Sequence, residues 1–144
     1  MDKLVASAVL LAFICVHNCH AACTLPQGCV CLNETSWEIG HVVCRNLGNV
    51  TQLPDFTAES RTILKLSINP DSVSVQHLHA GAFSELKVRS FRMSSIHLTT
   101  LDENAFAGLD TLEELYMDNN LLVTLPSGLF AGLTNLKYLR LNDN

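Results

Sequence analysis

The chain has 144 residues, enough for one domain, and carries 9 basic and 14 acidic residues for a net charge of −5. A nucleic-acid-binding surface needs clustered lysine and arginine, so this balance argues against a nucleic-acid partner. No apolar stretch reaches the roughly 20 residues that a membrane-spanning helix requires. The sequence therefore predicts neither a nucleic-acid-binding protein nor a membrane span in this chain.

Residues 1–21 are typical of a secretory signal peptide. Lys3 precedes an apolar run from Leu4 to Val16, and small residues follow near Ala21, where cleavage is expected. A retained anchor is the alternative. We therefore expect a secreted, extracellular protein, or one on the extracellular side of a membrane if a longer form is anchored.

Four cysteines remain after the signal peptide, spaced C-x5-C-x-C-x12-C. An oxidising compartment favours disulfides over a zinc cluster at these positions. Four cysteines allow three pairings, and the spacing does not choose among them. They are Cys23, Cys29, Cys31 and Cys44.

Two N-glycosylation sequons lie in the same part of the chain, "NET" at Asn33 and "NVT" at Asn49. Asn33 is expected in a loop between Cys31 and Cys44, where a glycan is easily accommodated. Asn49 lies next to residues that look core-directed. Both are predicted glycosylation sites.

Apolar residues recur at a spacing of 24 residues through the C-terminal half. The positions Val88, Phe91, Met93, Leu98, Leu101, Phe106 and Leu109 recur as Leu112, Leu115, Met117, Leu122, Leu125, Phe130 and Leu133. A further copy starts at Leu136. An irregular earlier copy has a predicted strand at Leu64 and Leu66 and a return arm at Val75, Leu78, Phe83 and Leu86. The repeats thus cover residues 62–144, about three and a half copies.

The pattern L-x-x-L-x-L-x-x-N-x-L-x-x-L-x4-F-x-x-L resembles the extracellular leucine-rich repeat. The resemblance implies an α/β leucine-rich repeat solenoid with a concave parallel β-sheet and little regular helix on the convex side. Alternate strand residues point inward, and the Asn turns inward to satisfy backbone groups. Ile96 stands at one Asn position, so the row of asparagines has a gap there.

Residues 22–61 resemble the cysteine-rich N-terminal cap of such proteins, which include Toll-like receptors and variable lymphocyte receptors. The matching residues are Val42 with Cys44, then Leu53–Pro54, then Thr62 leading into the first repeat. By this resemblance, disulfides are expected between Cys23 and Cys31 and between Cys29 and Cys44.

No cysteine-rich cap follows the last repeat, and the sequence stops at Asn144, after only the strand of that repeat. Because a solenoid needs a cap at each open end, we expect a truncated fragment. A native short form whose last strand docks on another chain is the alternative. Residues 22–144 alone are expected to self-associate through the apolar face beside Leu139 and Leu141.

The expected function is extracellular recognition of a protein or glycan ligand, by a receptor or a secreted binder. A structural matrix or adhesion protein is the alternative. No G-x-S-x-G, H-E-x-x-H or phosphate-binding Gly-rich loop is present, so we expect no enzyme and no cofactor. His77 and His79 form an H-x-H that we interpret as two solvent-facing loop histidines, with no metal site predicted.

Residues that flank the inward leucines are predicted to face the concave side, where equivalent positions form columns. Ile63 and Ile68 are included among these concave positions. The two predicted columns are Lys65, Arg92, Tyr116 and Arg140, and Ser67, Ser94, Asp118 and Asn142. Arg and Tyr are enriched at binding hot spots, so the ligand-binding candidates are Arg92, Tyr116, Asp118 and Arg140.

Overall fold

The computed structural model describes residues 29–34, 38–44, 62–68, 75–84 and 86–144. These ranges contain eight strands and no helix. The strands are β1 (Cys29–Glu34), β2 (Glu38–Cys44), β3 (Thr62–Ile68), β4 (His77–Leu78), β5 (Val88–Arg92), β6 (Thr100–Leu101), β7 (Glu114–Tyr116) and β8 (Tyr138–Arg140). None of the described segments forms a helix that is long and apolar enough to cross a membrane.

The strands form a large sheet and a small one. The large sheet has the order β1-β2-β3-β5-β7-β8, in which β2 to β8 run parallel and β1 lies antiparallel to β2 at the edge. The small sheet pairs β4 with β6 in parallel. Each parallel strand belongs to a successive turn, so the predicted leucine-rich repeat solenoid is confirmed.

The core follows directly from the repeat pattern. In the turn that contains β7, Leu112, Leu115 and Met117 are fully buried, whereas the intervening Glu114 and Tyr116 are partly exposed. Burying one such apolar side chain stabilises the fold by about 1.5–3 kcal/mol. The buried side chains therefore stabilise the packing between turns, and the partly exposed side chains between them are available to contact a ligand.

A row of phenylalanines packs on the side of the core opposite the large sheet's exposed face. The rings of Phe83 and Phe106 stack with centroids 6.2 Å apart, and those of Phe106 and Phe130 stack at 6.1 Å. Phe83 also meets Phe91 edge to face at 4.7 Å. Aromatic pairs at such distances are favourable beyond their burial, so one Phe per turn aligns successive turns.

Asn120 connects two turns through its buried side chain. Its Oδ1 accepts hydrogen bonds from the backbone N–H groups of Ile96 (3.0 Å) and Leu98 (3.2 Å). Its Nδ2 donates to the carbonyl oxygens of Met93 and Met117, both at 2.9 Å. The side chain thus satisfies backbone groups of its own turn and of the preceding one, as the sequence predicts for this position.

The gap in the asparagine row lies at Ile96, which is completely buried. In the next two turns, the oxygen of Asn120 accepts from the backbone N–H of Leu98, and that of Asn144 accepts from the backbone N–H of Leu122. At the gap, the equivalent N–H belongs to Val75 and donates to the backbone carbonyl of Ile96 at 3.1 Å. A backbone acceptor therefore replaces the missing carboxamide, and the buried donor is satisfied.

The predicted register of the first repeat is wrong by two residues. Ile63 pairs with Val88 and Leu66 with Phe91, so Ile63 is an inward position. Ile63 and Ile68, which were expected on the concave face, are buried, and Leu64, which was expected inward, is partly exposed. Burial of both isoleucines decides between two registers that the apolar sequence "TILKLSI" allows equally well.

The two strands from the predicted cap extend the large sheet. A disulfide joins Cys29 of β1 to Cys44 of β2, which are paired positions in the two strands. Cys31 is also disulfide-bonded. Its predicted partner Cys23 lies outside the described residues, so that pairing stays a prediction. The expected loop position of Asn33 is wrong, because Asn33 belongs to β1.

Other sequence predictions fall outside the described part of the chain. They are the signal peptide at 1–21, the sequon at Asn49 and the boundary at residue 61.

At the last turn, Leu139 is 42% exposed and Leu141 is partly buried, so the apolar face expected there is present. Self-association through this face stays a prediction.

Candidate ligand-binding face

Three of the four predicted ligand-binding residues lie in one row across the large sheet. Arg92 of β5 pairs with Tyr116 of β7, and Tyr116 pairs with Arg140 of β8. Neighbouring parallel strands are about 4.8 Å apart, so the side chains stand side by side. We call Arg92, Tyr116 and Arg140 the cation–tyrosine row. Ser67 takes the corresponding place in β3.

Lys65 was predicted in this row, and that prediction is wrong. The two-residue shift of β3 pairs Lys65 with Ser90 instead. Ser90 in turn pairs with Glu114, and Glu114 with Tyr138. Lys65 therefore belongs to a second row, which runs parallel to the cation–tyrosine row and contains both charge signs.

Arg92 and Tyr116 contact each other directly. The Arg92 Cζ lies 4.7 Å from the centroid of the Tyr116 ring. A cation over an aromatic face is attracted by about 0.5–1 kcal/mol at exposed sites. The contact restricts two side chains that would otherwise sample many rotamers, so part of the ordering cost of binding is already met before a ligand arrives.

Glu114 holds the hydroxyl group of Tyr116, whose ring contacts Arg92. Its Oε2 accepts hydrogen bonds from the hydroxyls of Ser90 at 2.8 Å and of Tyr116 at 3.1 Å. Burial raises the pKa of Tyr116, and the hydrogen bond to Glu114 and its negative charge raise that pKa further, while Arg92 and Arg140 act in the opposite direction. The phenol therefore stays protonated at neutral pH and donates to Glu114.

Asp118 lies at the carboxyl end of β7 and is the fourth predicted ligand-binding residue. Its Oδ1 accepts from the Ser94 hydroxyl at 2.9 Å, and its Oδ2 accepts from the Asn119 side chain at 2.8 Å. Burial acts to raise the pKa of Asp118, but these hydrogen bonds, its own backbone N–H and nearby Arg140 outweigh burial and lower it. Asp118 is thus a fixed carboxylate beside the cation–tyrosine row.

The Ser94–Asp118 bond joins two members of the second predicted column. Ser67 was also predicted in that column, and that prediction is wrong because Ser67 pairs with Arg92. The remaining member, Asn142, donates to the side chain of Asp143 and is exposed. Asn119 and Asp143 have positive φ angles of 56° and 57°, which Asn and Asp tolerate better than most residues. The chain therefore turns sharply after β7 and after β8 and leaves these polar side chains at the rim of the concave face.

Strands β1 and β2 add residues that sequence reasoning did not select. His41 of β2 pairs with Lys65, and its Nε2 lies 2.9 Å from the Ser67 hydroxyl oxygen. Partial burial, with a smaller effect of Lys65, lowers the pKa of His41. Val30 and Leu32 of β1 are 56% and 46% exposed.

Val30 and Leu32 face the same side as the concave positions of β2. Their paired residues are Val43 and His41 respectively, and paired residues in a sheet share a face. The signal that could have identified these residues is the alternation in "CVCLNE", which places Val30 and Leu32 on the face opposite the cysteines. The concave face therefore has an apolar end at β1.

Residues 87–144 match the family model described as leucine rich repeat. The comparison with curated proteins gave no match. The matched region contains β5 to β8 and the whole cation–tyrosine row. Together with the parallel solenoid, the match supports a leucine-rich repeat protein, and such repeats generally mediate protein–protein interaction without catalysis.

Proposed function

We propose that the protein is an extracellular recognition module that binds a protein ligand on its concave face, as part of a receptor or as a secreted binder. The signal-peptide pattern at 1–21 supports export from the cell. The disulfide between Cys29 and Cys44 and the bonded state of Cys31 are typical of an oxidising compartment. The sequons at Asn33 and Asn49 are consistent with that route.

The observation that carries the proposal is the cation–tyrosine row. Arg and Tyr side chains dominate binding hot spots, and here they stand on three adjacent strands of a rigid sheet. The contact of Arg92 with the Tyr116 ring and the bond from Tyr116 to Glu114 order Arg92 and Tyr116 in advance. Pre-ordered side chains bind more tightly because less conformational entropy is lost.

The chemistry of the row indicates an acidic ligand surface. The Tyr116 hydroxyl already donates to Glu114, so it is engaged within the site. The guanidinium groups of Arg92 and Arg140 supply the remaining donors, and guanidinium forks match carboxylates in a bidentate arrangement. Asp118 and Glu114 stand beside them and disfavour a partner that is acidic throughout. We infer a protein ligand with a few acidic side chains placed among neutral ones.

The test uses protein secreted from a eukaryotic host, and its appearance in the medium tests export at the same time. A library of extracellular proteins is screened for binding, and the strongest binder is titrated against the triple variant Arg92→Ala, Tyr116→Ala, Arg140→Ala. Each hot-spot truncation costs about 2 kcal/mol or more, so the triple variant should weaken binding by well over about 100-fold.

A matched control removes two cations outside the row. Lys87→Ala with Arg89→Ala lowers the net charge by the same two units, and both side chains are exposed. This double variant should bind within about threefold of the unchanged protein, since long-range charge effects on affinity are modest. Equal binding by the triple variant, with normal secretion and thermal unfolding, would move the ligand site off the concave face.

A further inference from the structure

Outside the large sheet, two histidines and a carboxylate come together on adjacent turns. His77 of β4 pairs with Thr100 of β6, and Leu78 pairs with Leu101. His79 and Asp102 follow these strands directly, so the parallel register places them side by side. One ligand-type atom from each of His77, His79 and Asp102 lies within 4.8 Å of the other two. His77 belongs to a strand, so its predicted loop position is wrong.

The distances fit a zinc ion. Zinc bonds to imidazole nitrogen and carboxylate oxygen are about 2.0–2.2 Å long, and two ligands of a tetrahedron are then about 3.4 Å apart. The His77 Nε2 lies 3.3 Å from the Asp102 Oδ1. The His79 Nδ1 lies 3.9 Å from the Asp102 Oδ2. This separation is about 0.5 Å longer than the tetrahedral value, so the exposed His79 side chain must move closer to bind the same ion.

Groups around the cluster hold the side chains in the orientation that a metal needs. The His77 Nδ1 lies 2.7 Å from the Thr100 hydroxyl oxygen, which can accept a hydrogen bond from the Nδ1–H and so favour the tautomer whose Nε2 lone pair is free for the metal. The backbone N–H of Ala80 donates to the Asp102 Oδ2 at 2.9 Å. Such outer hydrogen bonds fix ring tautomer and carboxylate direction at protein metal sites.

The cluster is open to solvent and mixed in donor type. The side chains of His77, His79 and Asp102 are 34%, 51% and 43% exposed, so an ion can enter directly. Two imidazoles and one carboxylate suit zinc better than magnesium or calcium, which prefer oxygen ligands alone. Three protein ligands leave the fourth tetrahedral position for water.

We propose that His77, His79 and Asp102 form a zinc-binding site through His77 Nε2, His79 Nδ1 and the Asp102 carboxylate. The site bridges two turns of the solenoid, since both histidines precede Phe83 in one turn and Asp102 precedes Phe106 in the next. Bound zinc therefore joins the two turns on the side away from the cation–tyrosine row. This site is separate from the proposed ligand-binding face.

The test titrates zinc chloride alone into the full chain by isothermal titration calorimetry. The protein is secreted from a eukaryotic host, carries no histidine tag and is kept in chelator-free buffer. One zinc ion should bind per chain, and magnesium chloride should give no heat. His77→Gln, His79→Gln and Asp102→Asn should each weaken zinc binding by about 100-fold or more. Removing a residue that only hydrogen-bonds to a metal ligand already lowers metal affinity by roughly 10–100-fold, and removing the ligand itself should cost at least as much.

Two further variants separate a built site from scattered histidines. His97→Asn removes an exposed histidine outside the cluster at a φ of 61°, a backbone conformation that Asn accepts, and should bind zinc normally. Thr100→Val removes the hydroxyl beside His77 Nδ1 but keeps a β-branched residue in β6, and should weaken binding by about tenfold.

Folding of each variant is checked by thermal unfolding without zinc, and cobalt chloride provides a second readout. Tetrahedral coordination by the three residues should give intense visible absorption bands in the unchanged protein and in His97→Asn. No zinc binding by the unchanged protein, or equal binding by a folded Asp102→Asn variant, would overturn the proposal.

Discussion

Replacing Asn120 with alanine should destabilise the solenoid more than any other single polar change among the described residues. The side chain is 4% exposed and forms four hydrogen bonds of 2.9–3.2 Å to the backbone. Two of its partners are N–H groups, of Ile96 and Leu98. The other two are carbonyl groups, of Met93 and Met117. Alanine removes every one of these bonds and leaves a space where the carboxamide was.

The size of the effect follows from the four partners. A buried backbone group without a partner costs about 1–3 kcal/mol, and water entering the vacated space recovers part of that cost. Taking about 1 kcal/mol for each group gives a loss of about 4 kcal/mol in the free energy of unfolding. A domain of this kind has about 5–15 kcal/mol in total, so the variant should be only marginally folded.

Equilibrium urea unfolding of the purified protein measures the loss. Asn142→Ala is the matched control, since its carboxamide is exposed and donates to the side chain of Asp143. That variant should stay within about 0.5 kcal/mol of the unchanged protein. A loss below about 1 kcal/mol in Asn120→Ala would refute the claim that the buried carboxamide holds the two turns together.

Two other predictions concern the disulfide between β1 and β2 and the candidate ligand-binding face. Joint replacement of Cys29 and Cys44 by alanine should lower the free energy of unfolding by about 3 kcal/mol, the value expected for a bridge across 15 residues, and an unchanged urea midpoint would contradict this. Burial is the main cause of the raised pKa of Tyr116, and Glu114 adds to it; Glu114→Gln removes the negative charge of Glu114, so the phenol should lose its proton at lower pH. Ultraviolet titration in a Tyr138→Phe background isolates Tyr116, and an unchanged pKa would show that Glu114 does not act on it.

The sequence predicts the regular turns well because their inward positions are unambiguous. Between Val88 and Leu133, apolar residues recur every 24 positions and polar residues separate them. That pattern leaves one register, which places Arg92, Tyr116 and Arg140 in a single row, and the structure has them there. The family match over residues 87–144 covers the same region.

The first turn could not be predicted because its strand is apolar at too many positions. In "TILKLSI", either Leu64 with Leu66 or Ile63 with Leu66 satisfies the beginning of the motif. Hydrogen bonding to β5 and burial of Ile68 select the second arrangement. The choice depends on contacts between turns, which a single strand's sequence does not contain. Lys65 was therefore assigned to the wrong row.

The histidine cluster shows a different kind of failure. His77 and His79 were interpreted as a local H-x-H, but the carboxylate beside them comes from the next turn. The repeat alignment already equates Leu78 with Leu101, and so it equates His79 with Asp102. In a parallel solenoid, equivalent positions of successive repeats lie next to each other. The equivalence of His79 and Asp102 in the repeat alignment therefore already predicts that these two residues are neighbours.

The antiparallel β1 strand has a consequence for any ligand that lies across the concave face. Val30 and Leu32 present methyl groups at one edge, whereas Arg140 presents a guanidinium at the other edge, about 24 Å away across five strand spacings. The face is therefore directional. An elongated partner with an apolar end and an acidic end fits in one orientation, and the reversed orientation would place carboxylates on methyl groups and leave both arginines unpaired. The order of groups along the partner, as much as their identity, would then determine which molecule is bound.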